Sequence, residues 1–494
     1  MPLYLALDQS TSATKALLFD ADGRLLDREA RDHEQHYPQP GWVEHDAEEI
    51  WTNTVEVLAA LVRRQGARST EIASLSLTNQ RETVVVFERG TGRALNRALV
   101  WQCRRGDARC EELRHQGREE SVHRRSGLKL DPYFSGSKLH WLMTHRPDVA
   151  ARVRDGSALI GTIDAYLIYR LTGGAVFATD ATNASRTLLY DIVARRWDPG
   201  LAALWGVPVH ALPEVRDCSA RFGRTTLEGR WSHPLPICGV MGDSQASLFA
   251  QRCFAPGSAK VTFGTGSSLL LNLGHVPRFS AHGLLTALAW SIQGVATYAY
   301  EGVIISSAST LTWLRDQLGL AATVDQLEAW AQEVPDNGGV YLVPAFAGLG
   351  LPYWAPRARA GLVGLSSHSD RRHVARAAFE SIAYQIRDAL EAMRAEAAVE
   401  VATLAGDGGP TASRFLMQFT ADLTGVDLQV AAMPECSPLG AVLAGQIGLG
   451  HVPSITALAT STATSNHYLP QRTPDDVSAL HAGWRAAVRQ TLST

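Results

Sequence analysis

Three short polar turns in this chain have the composition of a phosphate-binding site. The first runs from Asp8 to Lys15 and supplies hydroxyls, an amine and a carboxylate that can hold magnesium through water. The second is Gly-Thr-Gly at residues 264–266, and the third is Gly-Asp-Gly-Gly at 406–409. Backbone N–H groups and small hydroxyl side chains bind phosphate, and such turns present both. Taken alone, each is better explained as an ordinary turn, so the hypothesis depends on all three occurring together.

The first two turns lie between short β-rich segments. These segments are residues 3–7, 15–19 and 24–26 around the first turn, and 260–263 and 268–273 around the second. The strand–turn–strand pattern therefore occurs twice, which predicts two duplicated α/β domains with equivalent turns facing one cleft. We place the domains at residues 1–247 and 248–494, with the boundary between 246 and 257.

Helical periodicity is clear in the second half. Apolar residues recur at three- and four-residue steps over 372–395, which predicts an amphipathic helix. A second helix is predicted to begin at Thr411 or Ser413, run to residue 423 and stop at Gly425. The turn-rich stretch 208–236 predicts loops and short strands.

Composition excludes several classes of protein. The 494 residues are 46% hydrophobic and 19% charged with a net charge of −3, so a multi-domain α/β enzyme is expected and a nucleic-acid binder is not. No apolar run is long enough to span a membrane, and the first residues lack the basic start of a signal peptide. The six cysteines have no CxxC spacing, which favours reduced thiols. We therefore expect a cytoplasmic protein that uses neither nucleic acid nor membrane as a partner.

Longer motifs resemble the glycerol kinases of the FGGY carbohydrate kinase family. The matching segments extend along almost the whole chain: 40–46, 79–83, 101–105, 131–136, 182–187, 348–354, 381–385 and 415–419. Two family signatures also fit, at 133–145 and 360–380. The resemblance implies two actin/hexokinase-like (ribonuclease H-like) domains around a catalytic cleft. It also implies a homo-oligomer, either a dimer or a tetramer.

The same resemblance implies transfer of the γ-phosphate of ATP, with Mg²⁺, to a terminal hydroxyl of glycerol. Asp243 would accept the proton of the attacking hydroxyl, while Arg81 and Glu82 would bind the polyol between Trp101 and Tyr133. Asp8 would order magnesium. The positions implied for the nucleotide are Thr11, Ser12, Lys15, Thr265, Gly408, Gly409 and Ser413.

Each of these residues has a simpler explanation when it is considered alone. Asp243 has the position of a helix N-cap for the segment that follows it. Arg81 and Glu82 would be an exposed ion pair, and Trp101 and Tyr133 would belong to the core. Only the family motifs, taken together, favour the functional interpretation.

The chain departs from the family pattern at four positions. Ser244 stands where glycerol kinases usually have Gln, and Ser268 stands where they usually have Phe; both positions are implied to bind the substrate. Ser10 and Ser413 replace a usual Gly and Asn near the nucleotide. Two alternatives therefore stay open: a kinase for a larger polyol such as a four-carbon alditol, or for a ketose. A non-catalytic ATP-binding module of the same fold is disfavoured because Asp243, Arg81 and Glu82 occur together.

Overall fold

The computed structural model describes residues 1–355, 357–433, 435–458 and 464–492. The strands are β1 (Leu3–Gln9), β2 (Ala13–Phe19), β3 (Leu25–Asp32), β4 (Gln35–His36), β5 (Glu44–His45), β6 (Ile72–Asn79), β7 (Val84–Glu88), β8 (Ala98–Leu99), β9 (Ala158–Thr162), β10 (Ala178–Asp180), β11 (Tyr190–Asp191), β12 (Arg196–Trp197), β13 (Glu214–Arg216), β14 (Arg221–Thr225), β15 (Leu235–Gly242), β16 (Ala259–Phe263), β17 (Ser267–Gly274), β18 (Leu285–Ile292), β19 (Val295–Ile304), β20 (Tyr341–Val343), β21 (Gly361–Val363), β22 (Thr403–Asp407), β23 (Asp427–Ala431) and β24 (Thr464–Tyr468). The helices are α1 (Ala47–Gln65), α2 (Asp107–His115), α3 (Glu119–Ser126), α4 (Ser135–His145), α5 (Pro147–Arg154), α6 (Ile163–Leu171), α7 (Ala181–Ala184), α8 (Pro199–Trp205), α9 (Asp243–Ala250), α10 (Ala308–Asp316), α11 (Val324–Glu333), α12 (Arg371–Ala397), α13 (Arg414–Thr424), α14 (Cys436–Leu449), α15 (Ile455–Leu458) and α16 (Pro474–Leu492).

Two large sheets share one connectivity. The first has the order β14-β15-β6-β1-β2-β3, and the second has the order β18-β19-β17-β16-β22-β23-β24. In each sheet an antiparallel hairpin, β1–β2 or β16–β17, is followed by a parallel neighbour, β6 or β22. A further parallel strand, β15 or β23, lies beyond that neighbour. This repeat confirms the predicted duplication and places the first two polar turns at equivalent positions, between the strands of the two hairpins.

Strand β1 is buried on both faces. Leu5 and Leu7 belong to a core cluster with α1, whereas Tyr4 and Ala6 on the opposite face pack with Val442 of α14. Successive side chains of a strand point to opposite faces, so a strand covered on both sides needs a continuous apolar run. The run at the start of the chain is explained in this way.

Helix α14 packs against the first sheet although it lies near the end of the chain. A Cβ atom added at Gly440 would lie 1.9 Å from the carbonyl oxygen of Ala246 in α9. A Cβ atom added at Gly445 would lie 2.5 Å from the carbonyl oxygen of Cys238 in β15. Glycines therefore bring the backbone of α14 into direct contact with α9 and β15.

A smaller sheet beside the first one has the order β4-β5-β8-β7-β9. Trp101 follows β8, and Tyr133 lies just before α4, which packs in a core cluster with α5 and α8. This sheet and its helices therefore position both aromatic residues that the sequence predicted at the substrate.

The helix predictions are confirmed closely. Helix α12 covers the predicted segment with small extensions, and α13 begins after Ser413, whose hydroxyl accepts a hydrogen bond from the Leu416 N–H. Thr411 lies in the preceding 3-10 turn, and Gly425 ends α13 in the left-handed region with φ 65°. All six cysteines are buried and free, as expected. Within the described parts of the chain, no helix has the length and apolar character needed to cross a membrane.

The contact between α14 and α9 can be tested with Gly440→Ala. Alanine is favoured over glycine by about 1 kcal/mol in a helix interior, so without the contact the variant would be more stable. We expect a loss of about 1–3 kcal/mol, because the added Cβ forces α9 away. Thermal denaturation shows whether the substitution raises or lowers the stability of the protein. Gly90→Ala, in a turn where nothing lies within 4 Å of the added Cβ, is the control for an unhindered substitution. A Gly440→Ala protein more stable than wild type would contradict the packing described.

Candidate active site

A network of buried charges lies between the two large sheets. Arg81 Nε is 3.0 Å from Asp243 Oδ1, and Arg81 Nη2 is 3.0 Å from Glu301 Oε1. Arg186 Nε donates to Glu82 Oε1 at 2.5 Å, and Arg186 Nη1 forms an ion pair with Glu301 Oε2. Asp243 keeps 40% of its side chain exposed, whereas the other four side chains are at most 5% exposed. The network therefore reaches solvent at Asp243, and Arg81 and Glu82 are not the exposed pair that they would form in isolation.

The segment after β6 has the conformation that places these charges. Glu82 has φ 61°, in the left-handed region that non-glycine residues rarely adopt. The Ser135 hydroxyl donates to the Glu82 carbonyl at 2.9 Å, and the Gln80 N–H donates to the Gln9 carbonyl at 2.8 Å. Strain of this kind persists only where surrounding contacts hold it, and it concentrates at functional sites.

Burial and neighbouring charges shift the pKa values of Glu82 and Glu301 in opposite directions. Burial raises the pKa of Glu82, and the guanidinium groups of Arg186 and Arg81 offset this only in part. Burial acts in the same direction on Glu301, but Arg186 and Arg81 outweigh it and hold its pKa below the ordinary value. Glu301 is therefore an anion shared between two cations.

Asp243 is the first residue of α9 and follows β15 directly. The N-cap of α9 is Gly242, so the alternative in which Asp243 caps the helix is wrong by one position. The Gly242 N–H donates to the Thr182 hydroxyl at 2.8 Å, and the Ser437 hydroxyl donates to the Asp243 carbonyl at 2.8 Å. The backbone around Asp243 is thus held by α7 on one side and α14 on the other.

Trp101 and Tyr133 lie side by side next to the first polar turn. Their ring centroids are 5.3 Å apart, and Trp101 Nε1 donates to the Thr11 hydroxyl at 3.0 Å. Both residues are partly buried rather than enclosed in the core. Burial raises the pKa of the Tyr133 hydroxyl, so that group stays protonated as a hydrogen-bond donor at neutral pH.

The two serines that depart from the family pattern differ in their surroundings. Ser244 is partly buried in the first turn of α9, and its N–H donates to Asp243 Oδ1 at 2.6 Å. Ser268 pairs in register with Val303, which is two residues from Glu301 on the same face of β19. The Ser268 hydroxyl is buried and has no hydrogen-bond partner among the described residues. Ser268 therefore faces the buried charges with an unused hydroxyl.

The first polar turn carries one acidic side chain, Asp8, and one basic side chain, Lys15. Lys15 Nζ donates to Glu435 Oε1 at 2.7 Å and lies 3.8 Å from Asp8 Oδ2. Burial raises the pKa of Asp8 to about 7; the Lys15 ammonium opposes this shift, and the Asp243 carboxylate adds to it. Ser12 is exposed, and Thr11 is partly buried.

The second and third polar turns are adjacent. A Cβ atom added at Gly408, which has φ 98°, would lie 2.0 Å from the Phe263 carbonyl oxygen. The carbonyl of Thr265 accepts from the Ser307 N–H at 2.9 Å, just before α10. Gly409 is open, with nothing within 4 Å of an added Cβ atom, and the Ser413 hydroxyl donates to Glu328 Oε1 at 2.7 Å. The structure thus brings these two turns together in the second half. In the first half it brings the first turn close to Trp101, one of the residues predicted to bind the substrate.

Family models match both halves of the chain. The N-terminal domain of the FGGY family of carbohydrate kinases matches residues 3–250, and the C-terminal domain matches residues 259–449. The chain belongs to the FGGY family of carbohydrate kinases. Proteins named glycerol kinase from Desulfitobacterium hafniense and Carboxydothermus hydrogenoformans are 43% and 44% identical to it. They cover 99% and 98% of this chain, and the matches span 99% and 97% of their own lengths.

Solved structures of other kinases are also similar. Plasmodium falciparum glycerol kinase with ADP has a TM-score of 0.93 and 30% identity, over 100% of this chain and 98% of that one. A ligand-bound xylulose kinase from Lactobacillus acidophilus has a TM-score of 0.90 at 19% identity, over 100% of this chain and 99% of that one, which shows the common fold. The expected two-domain actin/hexokinase-like architecture is therefore confirmed.

Two members of the buried network had no role assigned from the FGGY motifs. Arg186 lies within the motif at 182–187, and Glu301 lies outside every motif noted. Glu301 interrupts the strand Val295–Ile304, which is otherwise apolar or uncharged. A single acid in a buried strand is a signal that could have found it, because such a charge needs a partner.

Asp8 should make stability depend on pH in the chain without nucleotide or metal. Its folded pKa of about 7 lies above the ordinary value of 3.8, so the folded state holds the proton more tightly between these values. Stability therefore falls as pH rises through this window and levels off above about 7.

Asp8→Asn removes this dependence, while Lys15 keeps its bond to Glu435. Between pH 5 and 7 we expect the variant to gain about 2 kcal/mol on wild type, measured by denaturant unfolding. A difference in stability that stays constant over this range would contradict the buried, protonated state of Asp8.

Proposed function

We propose that this FGGY kinase transfers the γ-phosphate of ATP to a terminal hydroxyl of glycerol, giving glycerol 3-phosphate. The observation that carries the proposal is the setting of Asp243: a partly exposed carboxylate, held at one oxygen by a buried guanidinium, at the solvent-exposed end of the buried charge network. The full-length similarity to glycerol kinases supports the choice of acceptor.

Asp243 acts as the general base in this proposal. Phosphoryl transfer passes through a loose transition state and asks mainly for positioning, charge neutralisation and a proton acceptor at the nucleophile. Arg81 Nε holds Asp243 Oδ1, which leaves Oδ2 to accept the proton of the attacking hydroxyl. The proton moves to Asp243 as the hydroxyl oxygen bonds to the γ-phosphorus and the bond to ADP breaks.

Arg81 and Glu82 bind the other hydroxyls of the acceptor. Arg81 has five N–H donors: Nη1 donates to Gln245 Oε1, while Nε and Nη2 form ion pairs with Asp243 and Glu301. Glu82 supplies an acceptor beside it. Trp101 and Tyr133 form an apolar wall for the carbon chain, as their adjacent rings allow.

The three polar turns hold the nucleotide in this proposal. Thr11, Ser12 and Lys15 contact phosphates from the first half, and Thr265 does so from the second. Gly408, Gly409 and Ser413 lie against adenine, where the open surface at Gly409 leaves room for a base. Asp8 orders Mg²⁺ through water; the cation neutralises phosphate charge and would also keep Asp8 ionised despite its burial.

The role of Asp243 is tested by Asp243→Asn, which keeps the shape of the side chain but cannot accept the proton. We expect kcat to fall by about a hundred- to ten-thousandfold, with a smaller change in the KM for glycerol. A coupled assay of ADP release measures both constants. Asp475→Asn, at an exposed position on α16, is the control. Near-wild-type turnover by Asp243→Asn would show that another group is the base, and an inactive wild type would favour a non-catalytic ATP-binding module.

A larger polyol is the second candidate acceptor, and the unpaired Ser268 hydroxyl favours it. A buried hydroxyl without a partner loses hydrogen-bonding energy that a further substrate hydroxyl can restore. Ser268 and Ser244 are also smaller than the Phe and Gln of the family pattern, so a larger acceptor would meet less bulk there. Such an acceptor would have a fourth carbon, as in erythritol or threitol.

Ser268→Phe and Ser268→Ala separate the effect of volume from that of the hydroxyl. We expect wild type to phosphorylate glycerol with a weak KM and to accept a four-carbon alditol comparably or better. Ser268→Phe should shift kcat/KM toward glycerol by about 10- to 200-fold, because one carbon in a pocket is worth about 1–3 kcal/mol. Ser268→Ala should lower kcat/KM for the alditol and leave kcat/KM for glycerol unchanged. If wild type is exclusive for glycerol and Ser268→Phe changes nothing, the larger acceptor is ruled out.

A further inference from the structure

Glu301 is a fully buried carboxylate in the middle of β19. Both of its oxygens face guanidinium groups: Oε1 is 3.0 Å from Arg81 Nη2, and Oε2 is paired with Arg186 Nη1. Its side chain is 0% exposed. A buried carboxylate is costly unless it is paired, and here one carboxylate lies within ion-pair distance of two cations.

The two arginines connect Glu301 with the proposed acceptor site. Arg81 also forms an ion pair with Asp243 at 3.0 Å, and Arg186 forms one with Glu82 at 2.5 Å. These four residues all belong to the first half of the chain, whereas Glu301 belongs to the second sheet. Glu301 therefore attaches the side chains of the acceptor site to the opposite half, in addition to the backbone contact between Ser437 and Asp243.

Strand β19 also supports the second phosphate turn. It pairs antiparallel with β17, so that Glu301 lies opposite Leu270 and Ile304 lies opposite Ser267. A Cβ atom added at Gly266, in the turn itself, would lie 2.5 Å from the Ile304 carbonyl oxygen. The turn that contacts phosphate in the proposed function is thus packed on the strand that carries Glu301.

Stability alone does not account for this arrangement. Apolar side chains of similar volume often replace buried ion pairs without loss of stability, so the network is not needed to hold the halves together. In-line transfer, in contrast, requires the attacking oxygen and the phosphorus to be aligned closely, and small misplacements are costly in rate.

We propose that Glu301 is a positioning residue for phosphoryl transfer: through Arg81 it sets the place of Asp243 relative to the phosphate turn at 264–266. Through Arg186 it likewise sets the place of Glu82. The inference rests on the proposed kinase function, and it adds a residue that touches neither substrate nor nucleotide.

Two substitutions at Glu301 test the link. Glu301→Asp keeps the charge but shortens the side chain by one methylene group, so it cannot reach both guanidinium groups as before. Glu301→Gln keeps the shape and removes the charge. Both proteins are characterised by kcat, by the KM for glycerol and for ATP, and by thermal denaturation.

Glu380→Gln is the matched control. Glu380 Oε1 is paired with Arg376 Nε at 2.8 Å on α12, and its side chain is only 2% exposed. The control therefore breaks another buried Arg–Glu pair, but one that contacts neither Arg81 nor Arg186. It should lose thermal stability and keep kcat and both KM values within about twofold below its melting temperature.

For Glu301→Asp we expect a folded protein whose kcat falls by at least about tenfold, and for Glu301→Gln a fall of about a hundredfold. The KM for glycerol should rise, and the KM for ATP should change by less than about twofold, since the nucleotide turns are intact. If Glu301→Gln does not fold, Glu301→Asp decides the question alone.

The proposal is overturned if folded Glu301 variants keep wild-type kcat and KM for glycerol. It is also overturned if their activity declines only in proportion to stability, as in Glu380→Gln. An inactive wild-type protein would instead remove the proposed function itself, so the two failures are distinguishable.

Discussion

Guanidinium groups can be buried only if carboxylates are buried with them, and this constraint organises the cleft. Arg81 and Arg186 share three carboxylates, from Glu82, Glu301 and Asp243. The buried Lys260 adds a third cation close to these charges. Asp243 is the member of the network that reaches solvent. The carboxylate with an oxygen outside the ion pairs is thus the one that a ligand can reach.

The polar turns that are proposed to bind the nucleotide carry few charges by comparison. Its turns are rich in glycine and hydroxyl side chains, and Lys15 is already hydrogen-bonded to Glu435. Asp8 has its pKa raised to about 7, chiefly by burial. A site built in this way has little fixed charge of its own, so it suits a ligand that brings both phosphate and a divalent cation.

Much of the fold could be predicted from the sequence because local signals were strong. The apolar run of β1, the periodicity of α12 and the glycine after α13 each have a local physical cause that the chain displays directly. The pairing of Glu301 with Arg81 and Arg186 could not be found in this way, because it joins residues far apart in sequence.

The identity of the main site residues could be predicted from the sequence, but their arrangement could not. Arg81, Glu82 and Asp243 stood out through family motifs, while their burial and mutual distances came only from the structure. The close contact of Gly440 with α9 was invisible as well, since a glycine in an apolar helix gives no sign of what lies opposite. Local propensity depends on residues close together in the sequence and can be recognised from it, whereas a tertiary contact joins distant residues and cannot.

Helix α14 has a consequence for how the protein is made. It covers one face of the first sheet, packing on β1 through Val442 and against α9 through Gly440, yet it is translated after most of the second half. A nascent chain that has completed only the first sheet still exposes Tyr4 and Ala6, and such surface is prone to aggregation. The first half therefore cannot finish folding on the ribosome until most of the second half has been synthesised. Folding of the first sheet is delayed until α14 is available to cover it.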